Sequence, residues 1–177
     1  MELASRFGVC SNVGVYNPLM SPRLAACLLC VVLLAACQSR EVEKDLAITD
    51  VRTGWYDVGI VDGLNKIVPS ITFKLKNVSS EPISRVQINA VFRQLGDDKA
   101  WGAPFVRGIG PDGLAPGATG ELLVLRNDRG YTSTDGRLKM LQNSQFIDAK
   151  VQIFGKHGSR TWVKMGEYAI DRQLLTE

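Results

Sequence analysis

The sequence ITFKLK, residues 71–76, alternates apolar and polar side chains: Ile71, Phe73 and Leu75 are apolar, and each is followed by Thr or Lys. Successive side chains of a β-strand point to opposite faces, so this period of two predicts a strand with one face in a core and the other in water. Strands of this kind are typical of antiparallel sheets, because parallel sheets are usually covered on both faces.

Two further stretches, residues 86–93 and 147–153, repeat the alternation. Turn-forming Gly, Pro, Asn and Asp separate additional candidate strands at residues 46–53, 101–107, 119–126, 161–165 and 167–172. Because one-sided strands must cover their apolar face, seven or eight of them predict an all-β, two-sheet antiparallel sandwich over residues 46–177, with one short helix around 138–142. The side chains expected in its core are Ile71, Phe73, Leu75, Val86, Ile88, Val151 and Ile153.

The composition agrees with one folded domain and excludes several classes of protein. The 177 residues are 45% apolar and 22% charged, which is too apolar for a disordered chain. A net charge of +3, scattered along the chain, does not indicate a nucleic-acid binder. All four cysteines lie within residues 1–37 and the only histidine is His157, so neither a disulfide framework nor a Cys/His zinc or catalytic site is expected in the body.

The N-terminal region has the pattern of a secretory signal peptide. Arg23 precedes thirteen uncharged, mostly apolar residues, 24–36. As a helix they would span about 20 Å at ~1.5 Å per residue, short of the ~30 Å hydrocarbon core of a bilayer. Residues 1–36 are therefore predicted to be a signal peptide. Residues 1–19 fit it poorly, and the pattern favours a start at Met20.

The end of this stretch, Leu34-Ala35-Ala36-Cys37, resembles the lipobox of bacterial lipoproteins. The resemblance implies recognition of Leu34, Ala35 and Ala36, cleavage before Cys37, and attachment of diacylglycerol to the Cys37 thiol. The partner at this site would be membrane lipid, and two or three acyl chains would anchor the protein stably. The next residues, 38–39, are Gln and Ser rather than the Asp of inner-membrane retention, which favours an outer membrane, facing the periplasm, in a Gram-negative cell.

Two motifs in the body are similar to immunoglobulin-like domains of the FxLYD type from bacterial surface proteins. Asn77-Val78-Ser79 ends the 71–76 strand as a K-N-x-S turn, and residues 114–117 read LAPG before another candidate strand. The resemblance implies an immunoglobulin-like sandwich in an extracytoplasmic location, with no catalytic residue. Polar residues 37–45 are predicted to be a tether between the lipid and this domain.

No catalytic or metal-binding residue and no cofactor is predicted. His157 is expected in an exposed turn without a Cys or second His as partner, and Asp97, Asp98 and Asp112 lie in Gly-containing turns where Asp serves the backbone. A carboxylate-based hydrolase remains an alternative, because distant acids can converge in a fold.

Aromatic residues at strand ends are the candidate binding patch: Trp55, Tyr56 and Trp101. They would suit a small-ligand or carbohydrate-binding lipoprotein, or simply close the sandwich. The interpretation favoured by the whole sequence is a non-enzymatic, lipid-anchored sandwich that binds another envelope protein or supports an assembly.

Overall fold

The computed structural model describes residues 41–175. The predicted signal peptide, Leu34, Ala35 and Ala36, and the predicted lipidation site Cys37 lie outside these residues. Within the described part of the chain no helix has the length and apolar character needed to cross a bilayer.

Residues 41–175 form nine strands and two short helices. In chain order they are α1 (Val42–Asp45), β1 (Leu46–Val61), β2 (Leu64–Asn77), β3 (Val86–Gln94), β4 (Phe105–Ile109), β5 (Leu123–Arg126), β6 (Tyr131–Ser133), α2 (Arg137–Gln142), β7 (Ala149–His157), β8 (Val163–Ala169) and β9 (Leu174–Leu175).

The strands make two sheets. The five-stranded sheet has the order β5-β2-β1-β9, with β6 also paired to β2, and the four-stranded sheet has the order β4-β3-β7-β8. Every pairing between these strands is antiparallel except that of β1 with the short β9. The predicted all-β, two-sheet antiparallel sandwich is confirmed. The strand number exceeds the predicted seven or eight because β6 and β9, of three and two residues, carry too short a pattern to recognise.

The core lies between the sheets, where the sequence places it. All seven predicted core residues have no exposed surface, and they come from β2, β3 and β7. Each strand contributes alternate side chains, so residues from both sheets meet in one cluster. The predicted core is confirmed.

The longest hairpin joins β1 to β2 through a two-residue turn at Asp62 and Gly63, whose φ angles are 50° and 78°. Positive φ at both positions suits the right-handed twist of a two-residue hairpin, and Asp-Gly is a preferred pair there. The candidate strands at 46–53 and 71–76 therefore extend much further than the sequence pattern indicates.

Other boundaries also differ from the prediction. The stretch 101–107 gives strand only from Phe105, and 119–126 only from Leu123. The candidates at 161–165 and 167–172 are one strand, β8, because Gly166 lies within its pairing with β7. The helix predicted near 138–142 is present as α2.

The predicted tether is shorter than residues 37–45, because Val42–Asp45 form α1 and belong to the folded body. Val42 is 3% exposed. A Cβ atom added to Gly155 would lie 2.6 Å from Val42 Cγ1, so the helix approaches β7 as closely as a glycine allows. Val42 is the one apolar side chain among residues 38–45, and its burial fixes α1 against the sandwich.

The two turn motifs of the sequence meet at Asn77, which has no exposed surface. Its Nδ2 donates to the carbonyls of Glu81 and Leu114, each at 2.8 Å. Its Oδ1 accepts from the backbone N and the Oγ of Ser79, at 3.0 and 2.7 Å. A buried amide with its polar atoms satisfied can hold two loops together, and this one holds the 78–82 turn to the LAPG turn.

Candidate functional site

The predicted aromatic patch does not form a surface. Trp55, in the middle of β1, has no exposed area. Its ring lies 4.7 Å from that of Phe146, 5.5 Å from Tyr131 and 6.3 Å from Trp101, measured between centroids. These four rings close one end of the sandwich, so Trp55 contributes to packing and is not available to a ligand.

The other two predicted patch residues are separated by this packing. Tyr56 follows Trp55 on the strand and therefore points to the opposite face, where the Arg126 guanidinium carbon lies 3.4 Å from its ring centroid. Trp101 is half-buried in the cluster around Trp55. The prediction that Trp55, Tyr56 and Trp101 form one binding patch is thus wrong, because consecutive residues of a strand point to opposite faces.

His157 is the last residue of β7, in register with Val86, and its carbonyl accepts from the Arg160 backbone N at 3.2 Å, so it is also the first residue of the following turn. It is half-buried and lines a cavity of about 370 Å³ beside α1, together with Val42 and Val163. Gly158, the next residue of this turn, has a φ of 56°, a conformation that glycine adopts easily. The predicted position of His157 in a turn is therefore confirmed, but the side chain is half-buried rather than exposed.

The acids singled out from the sequence lie where turns need them. Asp97, Asp98 and Asp112 are exposed, and Asp97 Oδ1 accepts a hydrogen bond from the Lys99 backbone N at 2.8 Å. Within residues 41–175 no three His, Asp or Glu side chains are grouped closely enough to hold a metal ion.

One exposed apolar feature is the end of the β1–β2 hairpin, residues 57–67, called here the distal hairpin. Ile60 is 71% exposed, Val58 42% and Val61 36%. The sixteen residues of β1 separate this end from α1 by up to about 50 Å at ~3.3 Å per residue. On its outer side β1 pairs with β9 only at Trp55 and Tyr56, so residues 57–61 have no strand neighbour there among the described residues.

An ion pair fixes the base of the distal hairpin. Arg137 Nε lies 2.7 Å from Asp57 Oδ1, and the same oxygen accepts from the Gly59 backbone N at 2.8 Å. Gly59 has a φ of 98° and stands at an irregularity in the β1–β2 register. This bulge turns the strand, so the exposed side chains are held in a defined direction.

The outer face of the four-stranded sheet is rich in cations and aromatic rings. Strand register places two rows of side chains across it. The first row is Arg107, Gln87 and Lys156, continued by Trp162, and the second is Phe105, Asn89, Phe154 and Lys164. The eight residues include three cations, three aromatic rings and no acid; they are called here the basic aromatic face. Phe105 is 70% exposed and Trp162 38%.

The Glu167 carboxylate, beside this face, is paired with neighbouring lysines. Lys164 Nζ and Gln152 Nε2 each lie 2.7 Å from its Oε2, and Lys150 Nζ lies 3.4 Å from its Oε1. These hydrogen bonds favour the ionised carboxylate and lower the pKa of Glu167 from about 4.5 to about 2. Glu167 therefore stays ionised and paired with lysines at neutral pH.

We expect Glu167 to stabilise the fold above pH 4.5 and to lose this contribution as the pH falls toward 2. A carboxylate with a lowered pKa in the folded state stabilises the fold fully above its unfolded pKa, and this contribution is lost progressively as the pH falls to the folded pKa. In Glu167→Gln this contribution is removed, so the difference between wild type and variant in the free energy of unfolding should shrink between pH 5 and pH 2. Urea unfolding at several pH values measures it, and a constant difference would contradict the lowered pKa.

A cavity of about 350 Å³, called here the arginine cavity, adjoins the first row and is lined by Arg85 and Arg107 with Gln87 and Gly158. Arg85 has a φ of 54°, a left-handed conformation uncommon for a side chain of this size. Its backbone is held from both sides, since Arg85 N donates to Gly110 O and Arg85 O accepts from Gly158 N, each at 3.0 Å. Neither arginine forms an ion pair with any described residue.

Sequence reasoning missed the distal hairpin and the cavity lined by Arg85 and Arg107. The Asp62-Gly63 pair is a hairpin signal that could have placed Ile60 near a turn. The placement of Arg85 and Arg107 on one cavity has no comparable signal, because it results from the β3–β4 register, in which Arg107 pairs with Gln87.

Comparisons with known proteins identify no family for this chain. No family model matches the sequence, and no curated protein matches it. The structure is similar to an X-ray structure of a Northeast Structural Genomics Consortium target, 10% identical, with a TM-score of 0.39, covering 73% of this chain and 89% of that one. It is also similar to the solution structure of an Arabidopsis thaliana protein, 13% identical, with a TM-score of 0.42, covering 75% of this chain and 83% of that one.

Proposed function

We propose that this protein is a lipid-anchored, extracytoplasmic bacterial lipoprotein that binds another envelope protein through its distal hairpin and catalyses no reaction itself. The lipobox ending in Cys37 supports the anchor, and the polar residues after it favour the periplasmic side of an outer membrane in a Gram-negative cell. The resemblance to FxLYD-type domains is part of this proposal, and the contact of its two turn motifs through Asn77 supports it.

The observation that carries the proposal is the exposure of Ile60 and Val58 on an open strand edge. An unpaired edge with apolar side chains invites pairing with another chain, and proteins usually protect such edges with charge, proline or a cover. Here residues 57–61 carry only Asp57 as a charge, and its carboxylate is paired with Arg137. The edge has the features of a strand that a partner protein covers.

The chemistry of this end favours a protein over a sugar or a small ligand. Branched aliphatic side chains on a projecting hairpin bury well against another apolar surface, whereas sugars stack on aromatic rings in a groove. The residues that would have served a sugar, Trp55 and Trp101, are packed against each other. A partner strand added to β1 would also supply backbone hydrogen bonds.

The test is chemical crosslinking in intact cells followed by purification of the lipoprotein from membranes. We expect one or a few envelope proteins to be captured by wild type and lost with Ile60→Lys, because a charge at the centre of an apolar contact must be desolvated. Val78→Lys is the matched control: Val78 is 54% exposed and lies next to α1, at the opposite end of β1. Equal capture by both variants would contradict a role for the distal hairpin.

A further inference from the structure

We propose that the arginine cavity and the basic aromatic face dock on the membrane itself, with Arg85 and Arg107 binding the phosphate of anionic phospholipid headgroups. The sandwich would then lie against the bilayer at its α1 end, rather than swing freely, and present the distal hairpin away from the lipid. This inference rests on the lipid anchor of the proposed function.

The first support is the length of chain between the anchor and the body. Only residues 38–40 separate Cys37 from Glu41, and four residue steps reach at most about 14 Å at ~3.6 Å per residue. A surface at the α1 end of the sandwich is therefore held within about a tether length of the headgroups. The high local concentration makes even a weak contact with lipid effective.

The arginine cavity is at that end. Val42 of α1 lines the cavity that includes His157, and the next residue, Gly158, lines the arginine cavity. Val86 and Ile109, at the matching ends of β3 and β4, complete its wall. The two cavities are thus neighbours at the point where the tether joins the sandwich.

The charges of the site fit a phosphodiester. Arginine binds phosphate through paired N–H donors, and the guanidinium groups of Arg85 and Arg107 have no carboxylate among the described residues to satisfy them. Among the acids nearby in sequence, Glu41 pairs with Lys44. Asp112 lines, together with Arg107, the adjoining cavity between β4 and β5, but it forms no ion pair with either arginine in the described part of the chain. Arg85 also keeps a strained backbone, which is common where a side chain must be presented to a ligand.

The aromatic rings fit the interfacial layer of a bilayer. Trp and basic residues concentrate at the headgroup level of membrane proteins, where the ring is partly in an apolar medium and the cation meets phosphate. Lys156 Nζ lies 4.9 Å from the centroid of Trp162, in the same row as Arg107. An acidic polysaccharide would also attract these cations, but the short tether brings the cavity to lipid first.

The experiment measures the contact of Trp162 with lipid in the full-length lipoprotein, reconstituted through its own acyl chains. Vesicles of phosphatidylcholine alone, or with phosphatidylglycerol, are prepared with and without brominated acyl chains, which quench nearby tryptophan. Trp55 is fully buried and Trp101 half-buried, so the emission that Trp162→Phe removes reports on Trp162. Flotation of the same vesicles measures anchoring independently of docking.

We expect bromine quenching of Trp162 in the anionic vesicles, little in the neutral ones, and loss of quenching in 1 M salt, where the Debye length falls to about 3 Å. The double variant Arg85→Gln, Arg107→Gln should still float and lose the quenching. The control Arg52→Gln, Lys76→Gln removes two exposed cations from the other sheet and should keep it.

Two results would overturn the docking site while leaving the anchor intact. In the first, the protein floats and Trp162 is quenched equally in neutral and anionic vesicles. In the second, the Arg85 and Arg107 variant floats and keeps the quenching. Failure to float on neutral vesicles would instead overturn the anchor, and the docking site with it. Inorganic phosphate and polygalacturonate are added in separate arms. A change in Trp162 emission with either of them, and none with lipid, would reassign the cavity to a soluble anion or an acidic glycan and overturn the proposal.

Discussion

Cys37→Ala is expected to release the protein from membranes completely. If Cys37 carries the acyl chains, the variant has no thiol at the lipobox to receive diacylglycerol, and the sandwich alone supplies no membrane-spanning helix within residues 41–175. Each buried methylene of an acyl chain contributes about 0.8 kcal/mol, so losing two or three chains removes essentially all of the anchoring energy. Labelled palmitate incorporation and partition into detergent measure the effect in bacteria.

The chain offers its own controls for this experiment. Cys27 and Cys30 lie in the same apolar stretch without the Leu-small-small context of Cys37. We expect Cys27→Ala and Cys30→Ala to incorporate label as the wild type does. Label that persists in Cys37→Ala, or that disappears in either control, would show that the lipidated residue has been assigned wrongly.

The sandwich could be predicted from sequence because alternation reports directly which face of a strand is buried. The alternation is lost in the middle of the β1–β2 hairpin, where residues 67–71 are all buried. There both faces of the sheet are covered: a Cβ at Gly54 would lie 2.8 Å from Leu175 Cγ, so the Leu175 side chain of the paired strand β9 covers the outer face beside Gly54. A strand covered on both faces loses the period of two, and its length cannot be inferred from that pattern.

The candidate sites were predictable to a smaller extent, because exposure depends on register and on which loops meet. Trp55 and Tyr56 are adjacent, and a shift of one residue decides which of them enters the core. Phe105, with the same kind of side chain, is exposed because it lies on the outer face of the edge strand β4. Arg85 and Arg107 are 22 positions apart (107 minus 85) and line one cavity only because β3 pairs with β4.

Phe73→Ala is expected to remove much of the stability of the sandwich. Phe73 has no exposed surface, and on β2 it pairs with Leu123 of β5 while its ring enters the core between the sheets. Removing a buried Phe ring costs ~3–5 kcal/mol, through lost burial and the cavity left behind. Domains of this size are stable by only ~5–15 kcal/mol, so the variant should be close to unfolding at physiological temperature.

Phe105→Ala is the matched control, because it deletes the same side chain at a position that is 70% exposed. Urea unfolding of a soluble chain beginning at residue 38, followed by circular dichroism, gives both free energies of unfolding. With a slope of ~2 kcal/mol per M urea, the midpoint should fall by about 2 M for Phe73→Ala and hardly change for Phe105→Ala.

The contrast follows from the positions of the two rings in their sheets. Phe73 is on the inner face of a central strand, where no water replaces the lost contacts. Phe105 is on the outer face of an edge strand, where water already surrounds most of the ring. Similar midpoints for the two variants would mean that residue 73 does not lie between two packed sheets.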